Sequence, residues 1–332
     1  MERLHVIGFG SLNLDEFWEV PGEFLVRHDL EPGREYVRDL DWFERVYGTL
    51  AREAERKARD PGGSAANAVA ALRKMGFTTG FYGVAGSADA ELLRLDELGR
   101  LEDLNVGRVD IPSGRCLALI DKNDPHRDRA LVILPNANNL AAVPMPDPAY
   151  FEQARWIHLT SFVSEAVLDA QIELVTRLSG STQVSFDPGA LYCSRGLKRL
   201  QPLLMRSRVL FVTEEELQEL TAEPDVPKAA SQLICMGVET VVLKMGAEGI
   251  MAFQGDRTFH CTGVPPRRIR DRTGAGDVAA AGFLAGMIEG LQMDACVEIA
   301  AAAASRSIEG FGRSAYPDKR FFLKLTSAWR KH

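Results

Sequence analysis

The chain is expected to fold as an α/β protein: a three-layer α/β/α core around a mostly parallel sheet, with a small β lid over one end. Three observations lead there. Short apolar runs bounded by turn residues recur along the chain, Ala-rich or amphipathic stretches of helical length separate several of them, and two regions break that alternation. Strands that alternate with helices, and that are apolar without a polar face, are the pattern of parallel sheets covered on both sides.

Taken in order, the runs "LHVIGFG" (4–10), "TGFYGVAG" (79–86), "ARWIHLTSF" (154–162), "TQVSFDPG" (182–189), "SRVLFVTEE" (207–215) and "ETVVLKMG" (239–246) read as buried strands. Residues 64–75, 164–178, 196–205 and 227–236 read as the helices between them. The first opens after a glycine pair, and carries Lys74 in its last turn with Gly76 behind it as a cap. From Val278 to Met287 nearly every residue is Ala, Gly or a large apolar, which suits a helix packed on most of its circumference. The two exceptions are 16–60, charged and aromatic, and 114–134, where "GRCLALID" and "RALVILP" flank "KNDPHRD" like the arms of a hairpin. Together they form the lid, drawn from about 12–60 and 110–135, with "DWFERVYGTLAREAERKA" (41–58) read as helical. No internal repeat, low-complexity tract or linker interrupts the chain, so 1–332 is taken as a single domain.

The 332 residues are 46% hydrophobic and 26% charged, with a formal net charge of -7, which argues against a general nucleic-acid binder. Five widely separated cysteines without a C-x-x-C pair indicate neither a disulfide framework nor a zinc site, and fit a reducing cytoplasm. The apolar stretch after "MERLH" is too brief for a signal peptide, and no run approaches the ~18 apolar residues of a membrane span. A cytoplasmic protein with no membrane partner is expected.

Chemistry concentrates in "RDRTGAGDVAAAGFLAGM" (270–287). Gly274, Ala275 and Gly276 would sit in the first turn of a helix, leaving its amide N–H groups open to an anion at the positive end of the dipole. A carboxylate beside a bound phosphate is repelled unless it does something else, and Asp277 could accept a proton from an attacking hydroxyl. The pairing suggests phosphoryl transfer; a glycine-rich turn with Asp favoured near a helix start is the plain alternative. Asn13 and Asp15, in "GSLNLD" just after the first strand, are placed to bond a polyhydroxylated ligand, as is Asn67 in "GGSAAN" beside Gly62 and Gly63. "GFGSLN" lacks the third glycine of a dinucleotide fingerprint, and no G-x-x-x-x-G-K-[ST] occurs. The glycines of "KMGAEG" (244–249) permit a tight turn whose amides could meet a nucleotide. "TEEELQEL" (213–220) reads as an acidic first turn of a helix, from which one carboxylate could hold Mg²⁺ through water.

In their order, "GSLNLD", "GGSAAN", "KMGAEG" and "DRTGAGD" resemble the PfkB or ribokinase family of ATP-dependent sugar and nucleoside kinases, over nearly the whole chain. The resemblance implies Asp277 as catalytic base, with Gly274, Ala275 and Gly276 as the anion hole. It implies substrate contacts at Asn13, Asp15, Gly62, Gly63 and Asn67, and ATP contacts at the Lys244–Gly249 turn, including Gly246 and Gly249. The family's acidic motif usually reads N-x-x-E, whereas Thr213 and Glu216 stand here; Glu216 is the one expected to reach Mg²⁺ through water. Arg272 stands where the family usually has Thr or Ser and would add positive charge near the phosphates or an acidic substrate. ATP and Mg²⁺ are the implied cofactors, while a monovalent cation and a homodimer through the lid are left open. The long segment between Asp15 and Gly62 looks like that of the adenosine-kinase-like branch. Its Trp18, Phe24, Tyr36 and Trp42 are candidates for base stacking, with packing against the core expected ahead of it. A sugar kinase is the leading expectation, a nucleoside kinase the alternative, and a non-catalytic ligand-binding relative a further one.

Overall fold

The computed structural model describes residues 3–124, 129–327 and 329. The chain folds into two sheets. The larger comprises β1 (Leu4–Phe9), β5 (Thr79–Gly86), β6 (Leu104–Val109), β9 (Ala154–Thr160), β10 (Gln183–Asp187), β11 (Ser207–Val212), β12 (Thr240–Lys244), β13 (Ile250–Gln254) and β14 (Arg257–Cys261). The smaller comprises β2 (Asn13–Val20), β3 (Glu35–Val37), β4 (Glu55–Gly62), β7 (Gly114–Asp121) and β8 (Arg129–Leu134). In space the first runs β14-β13-β12-β11-β10-β9-β1-β5-β6 and the second β3-β8-β7-β2-β4.

The large sheet is parallel from β6 to β12 and turns antiparallel only at β13 and β14. Its strands are buried on both faces because successive apolar side chains serve opposite layers. Val6, Val209 and Phe211 pack with the helices Ser64–Lys74, Ala275–Ile288 and Met293–Ser307, whereas Ile7, Leu210 and Val212 pack with Glu165–Arg177, Leu197–Arg206 and Val226–Cys235. The chain order reverses at β1, which has β5 on one side and β9 on the other, so the carboxyl ends of β1 and β9 open a crevice at the switch point. Among the described residues no helix is long and apolar enough to cross a membrane.

The lid obeys the same period of two with a different outcome. Trp18, Val20, Leu117, Leu119, Ala130 and Val132 turn outward into a small core closed by Phe24, Leu25, Val46 and Leu50 of the helices Gly22–Arg27 and Leu40–Glu53. Asp15, Cys116, Arg129, Leu131 and Ile133, on the alternate positions, line the crevice. Trp18 and Phe24 are therefore packing residues. Tyr36 and Trp42 pack at the edge of the same core, where the Tyr36 hydroxyl accepts a hydrogen bond from the Glu31 amide at 2.9 Å.

The hairpin arms expected at 114–134 are β7 and β8, paired antiparallel; residues 125–128 of their connection lie outside the described residues. The extent of the lid helix is corrected. The helical run does not continue to residue 58 but ends at Glu53, and "ERKARDPG" is β4, paired antiparallel with β2 from Asn13↔Gly62 to Glu19↔Glu55. Its charges are tolerated because β4 is an edge strand, with Lys57 reaching Glu19 at 3.0 Å. Lys244 also differs from expectation: it is the last residue of β12, and its side chain runs inward instead of sitting on the turn.

Candidate active site

Four chain segments meet at the crevice. Behind β1, Ser11 to Asn13 lead into the lid, and Asn13 is fixed by Asn138, whose Nδ2 donates to its Oδ1 at 2.8 Å while the Asn138 Oδ1 accepts from the Leu12 amide at 2.9 Å. Gly62 and Gly63 bring the chain back into the core. Gly63 has φ 99°, and a Cβ there would lie 2.0 Å from the Ser11 carbonyl oxygen, so only glycine lets the two connections pass. Gly62 leaves room for the Asp15 carboxyl, which packs directly over it. The helix Ser64–Lys74 then presents Asn67 inward.

The fourth segment is the start of the helix Ala275–Ile288. Gly274 is its N-cap at φ 75°, with no side chain capping the helix. The Ala275 amide closes a turn onto the Arg272 carbonyl at 3.2 Å, and the next amides, of Gly276 and Asp277, are left open to an anion from outside the chain. Asp277 follows in the first turn, and its Oδ2 accepts a hydrogen bond from Asn67 Nδ2 at 2.9 Å. The Asn67 Oδ1 in turn accepts from Arg313 Nε at 3.2 Å, so the amide is held from both ends.

Asn13, Asp15, Gly63, Asn67, Gly274 and Asp277 all line one cavity of about 210 Å³, together with Ser11, Glu35, Arg129, Asn138 and Ser161. Its apolar side is Leu131 and Ile133 of the lid with Phe162 and Leu191 of the core. Burial pushes Asp277 up to about 7; Asn67 opposes this by bonding the carboxylate, Asp187 adds to it, and Lys244 opposes it. Burial likewise pushes Asp15 up to about 7, against the pull of Arg313 and with the repulsion of Asp277.

Beneath the helix start Lys244 meets a carboxylate that the sequence did not single out, Asp187. Lys244 Nζ donates to Asp187 Oδ2 at 2.7 Å, with both side chains nearly buried. Burial disfavours the ammonium, but Asp187, Glu216 and Asp277 outweigh it and hold Lys244 protonated. A Cβ built on Gly276 would lie 3.8 Å from Nζ, so the cation sits under the first turn of this helix. Asp187 ends β10 just before Pro188, and a polar residue at the carboxyl end of a buried parallel strand was the signal that could have found it. Arg313 and Asn138, by contrast, stand in the short helical turns Gly312–Ala315 and Asn136–Leu140, without a motif.

Thr213 and Glu216 form a capping box: Glu216 Oε2 accepts from the Thr213 amide at 2.8 Å, and Thr213 Oγ1 accepts from the Glu216 amide at 3.2 Å. Burial raises the Glu216 carboxyl, countered by Lys244. Gly246 and Gly249 hold the β12–β13 turn at φ 58° and 107°, outside the cavity lining. Arg272 is exposed and is also outside it.

Among known families, the model of the pfkB family of carbohydrate kinases matches residues 35–319. The chain belongs to this family. An uncharacterized sugar kinase of Archaeoglobus fulgidus is 31% identical over 244 residues, 73% of this chain and 95% of that protein. The cytidine kinase of Thermococcus kodakarensis is 28% identical over 270 residues, covering 80% and 93%. In structure, the pfkB kinase fold of this chain superposes on the Arabidopsis thaliana ribokinase complexed with ribose and ATP with a TM-score of 0.76, covering 97% and 98% of the two chains at 23% identity. The protein is thus a phosphotransferase with a hydroxyl acceptor.

Proposed function

We propose that this kinase phosphorylates a sugar hydroxyl, with Asp277 as the base that takes the hydroxyl proton. The observation that carries the reading is the pairing of the Asp277 carboxylate with the uncapped start of its own helix, on the wall of a cavity rich in hydrogen-bonding side chains. A cavity of about 210 Å³ is smaller than the roughly 300–1,000 Å³ of sites for drug-sized ligands and favours a single sugar ring over a whole nucleoside.

Asp15, Asn13 and Asn67 orient the acceptor by its hydroxyls, with Asn13 opposite Gly62 in the β2–β4 register and the Asp15 carboxyl packed over that glycine. Asn67 occupies Oδ2 of Asp277, leaving Oδ1 to receive the proton. As the proton leaves, the acceptor oxygen forms its bond to the γ-phosphorus, and the bond from that phosphorus to the bridging oxygen of ADP breaks. The amides of Gly276 and Asp277 and the Lys244 ammonium offset the negative charge on the transferred group, Ala275 shaping the turn with its small side chain. The Gly246–Gly249 turn is the proposed rest for the nucleotide, with Arg272 at its edge and Thr213 as a structural cap.

The residues here fit Mg²⁺ carried by ATP. The oxygens available, on Glu216 and Asp187, are hard donors, and among the described residues no group of three or more side chains forms a metal cage. When bound, the ion neutralises phosphate charge; Glu216 would hold it through water.

Asp277→Asn keeps the size and the Asn67 contact but cannot accept a proton. It is expected to bind ATP and lower kcat by at least about 10²-fold, measured as ADP release over a panel of free sugars, sugar acids and nucleosides. Near-normal turnover would remove Asp277 from the role, and turnover of nucleosides alone would replace the sugar reading with a nucleoside kinase.

A further inference from the structure

Outside the crevice, at the junction of lid and core, lies a larger groove of about 560 Å³ that includes Arg38, Trp42, Arg45, Pro135, Asn136 and Asn139. The two compartments are continuous along both walls. On β3, Glu35 faces the inner cavity and Val37 the groove; on the chain leaving β8, Leu131 and Ile133 face the inner cavity and Pro135 faces both. The turn Asn136–Leu140 divides them, with Asn138 on the inner side and Asn136 and Asn139 on the outer.

The groove is unbalanced in charge. Among the described residues neither Arg38 nor Arg45 forms an ion pair, whereas Arg56, Arg59 and Arg115 elsewhere in the lid are paired with Glu16. The Arg38 guanidinium lies over the rings of Tyr36 and Trp42, at 5.1 and 5.8 Å, and its Nη1 reaches only the carbonyl of Val37 at 3.1 Å. Stacking of this kind orients the guanidinium while leaving donors open. The acidic side chain in the groove, Asp39, is committed to the Trp42 amide as a helix cap at 2.8 Å.

Resting on the kinase reading above, we propose that the acceptor carries an oxyanion, a phosphate or a carboxylate, on the end remote from the reacting hydroxyl, and that this arm leaves the inner cavity past Pro135 to lie between Arg38 and Arg45. Two guanidinium groups match an oxyanion's geometry, and the Asn139 amide supplies a further donor. The inner cavity then selects the ring and the groove selects the charge.

The test uses matched pairs: D-ribose against ribose 5-phosphate, glucose against gluconate and glucose 6-phosphate, and adenosine and cytidine against their 5′-monophosphates. Binding is followed by calorimetry on the full chain and turnover by ADP release, each for wild type and for Arg38→Gln/Arg45→Gln. At least one anionic member is expected to bind about tenfold or more tightly than its neutral partner, by the ~1.5–3 kcal/mol of a charge-assisted hydrogen bond, and that ratio is expected to collapse toward unity in the variant. A thermal unfolding midpoint equal to wild type shows that the variant is folded, and two single variants, Arg38→Lys and Arg45→Lys, replace the double one if it is not. Neutral members preferred throughout, or an anion preference untouched by the substitutions, overturns the proposal while leaving the kinase reading intact. Groove-dependent binding without ADP release from any compound would instead leave the groove and overturn the kinase reading. Phosphate-bearing and carboxylate-bearing members distinguish the two oxyanions.

Discussion

Asn67 offers a direct test of how Asp277, the proposed base, is tuned. Its Nδ2 bonds Asp277 Oδ2 at 2.9 Å and favours the ionised carboxyl, working against the burial that lifts Asp277 to about 7. Asn67→Ala removes that donor. A hydrogen bond to a charged group is worth about 1.5–3 kcal/mol, and one pKa unit is about 1.4 kcal/mol, so the carboxyl is expected to rise by about one unit or more. The base is active when ionised, so kcat rises with pH through its pKa. The wild-type limb should be centred near pH 7, and the variant's limb at about pH 8 or above. At pH 7 the ionised fraction then falls from about one half to about one tenth, a roughly fivefold loss in kcat that recovers in alkali. The assay is kcat by ADP release across about pH 6 to 10, with both substrates saturating. A purely positional role for Asn67 would instead scale kcat equally at every pH. A limb that stays at its wild-type position in the variant refutes the tuning, and a wild type with no limb near neutrality refutes Asp277 as the base.

Three further outcomes follow from the same geometry. Lys244→Met leaves Asp187 and Glu216 without their cation and is expected to destabilise the fold by about 3–5 kcal/mol in urea unfolding, with Asp187→Asn restoring part of the loss and neither restoring ATP affinity. Gly63→Ala, which drives a methyl into the Ser11 carbonyl, is expected to cost about 3 kcal/mol or more, against about 1–2 for Gly274→Ala, where the nearest atoms stand at 3.1 and 3.2 Å; urea midpoints rank the pair. Asp15 and Asp277 both titrate higher in the folded chain than their ordinary value of 3.8, so the native state holds more protons and stability falls as pH rises from about 4 to about 7; Asp15→Asn is expected to flatten that slope in unfolding curves.

Much of the core was legible because its signals are local. The run "TGFYGVAG" is apolar throughout because both faces are buried, and β5 occupies those same eight residues, 79–86. The strand β4 was not legible: "ERKARDPG" has neither strand composition nor alternation, and it follows a helix of similar charge. It becomes a strand because β2 offers an open edge and the glycines at its end must return to the core, two facts that lie elsewhere in the chain.

The site divides in the same way. Sequence alone determined the α/β class, the helix with its small first turn, and the presence of Asp277 in that turn, because each depends on neighbours within a few residues. Tertiary structure decided which partners tune that carboxyl: Asn67 is 210 positions away, and Arg313 is 246 positions beyond Asn67. It also decided that Lys244 points inward to Asp187, 57 residues distant, and that alternate residues of the lid face the crevice while their neighbours build its outer core. Burial and charge act through space, so the protonation of Asp277 and the unpaired arginines of the outer groove follow from how the lid and core are packed together, which no stretch of neighbouring residues encodes.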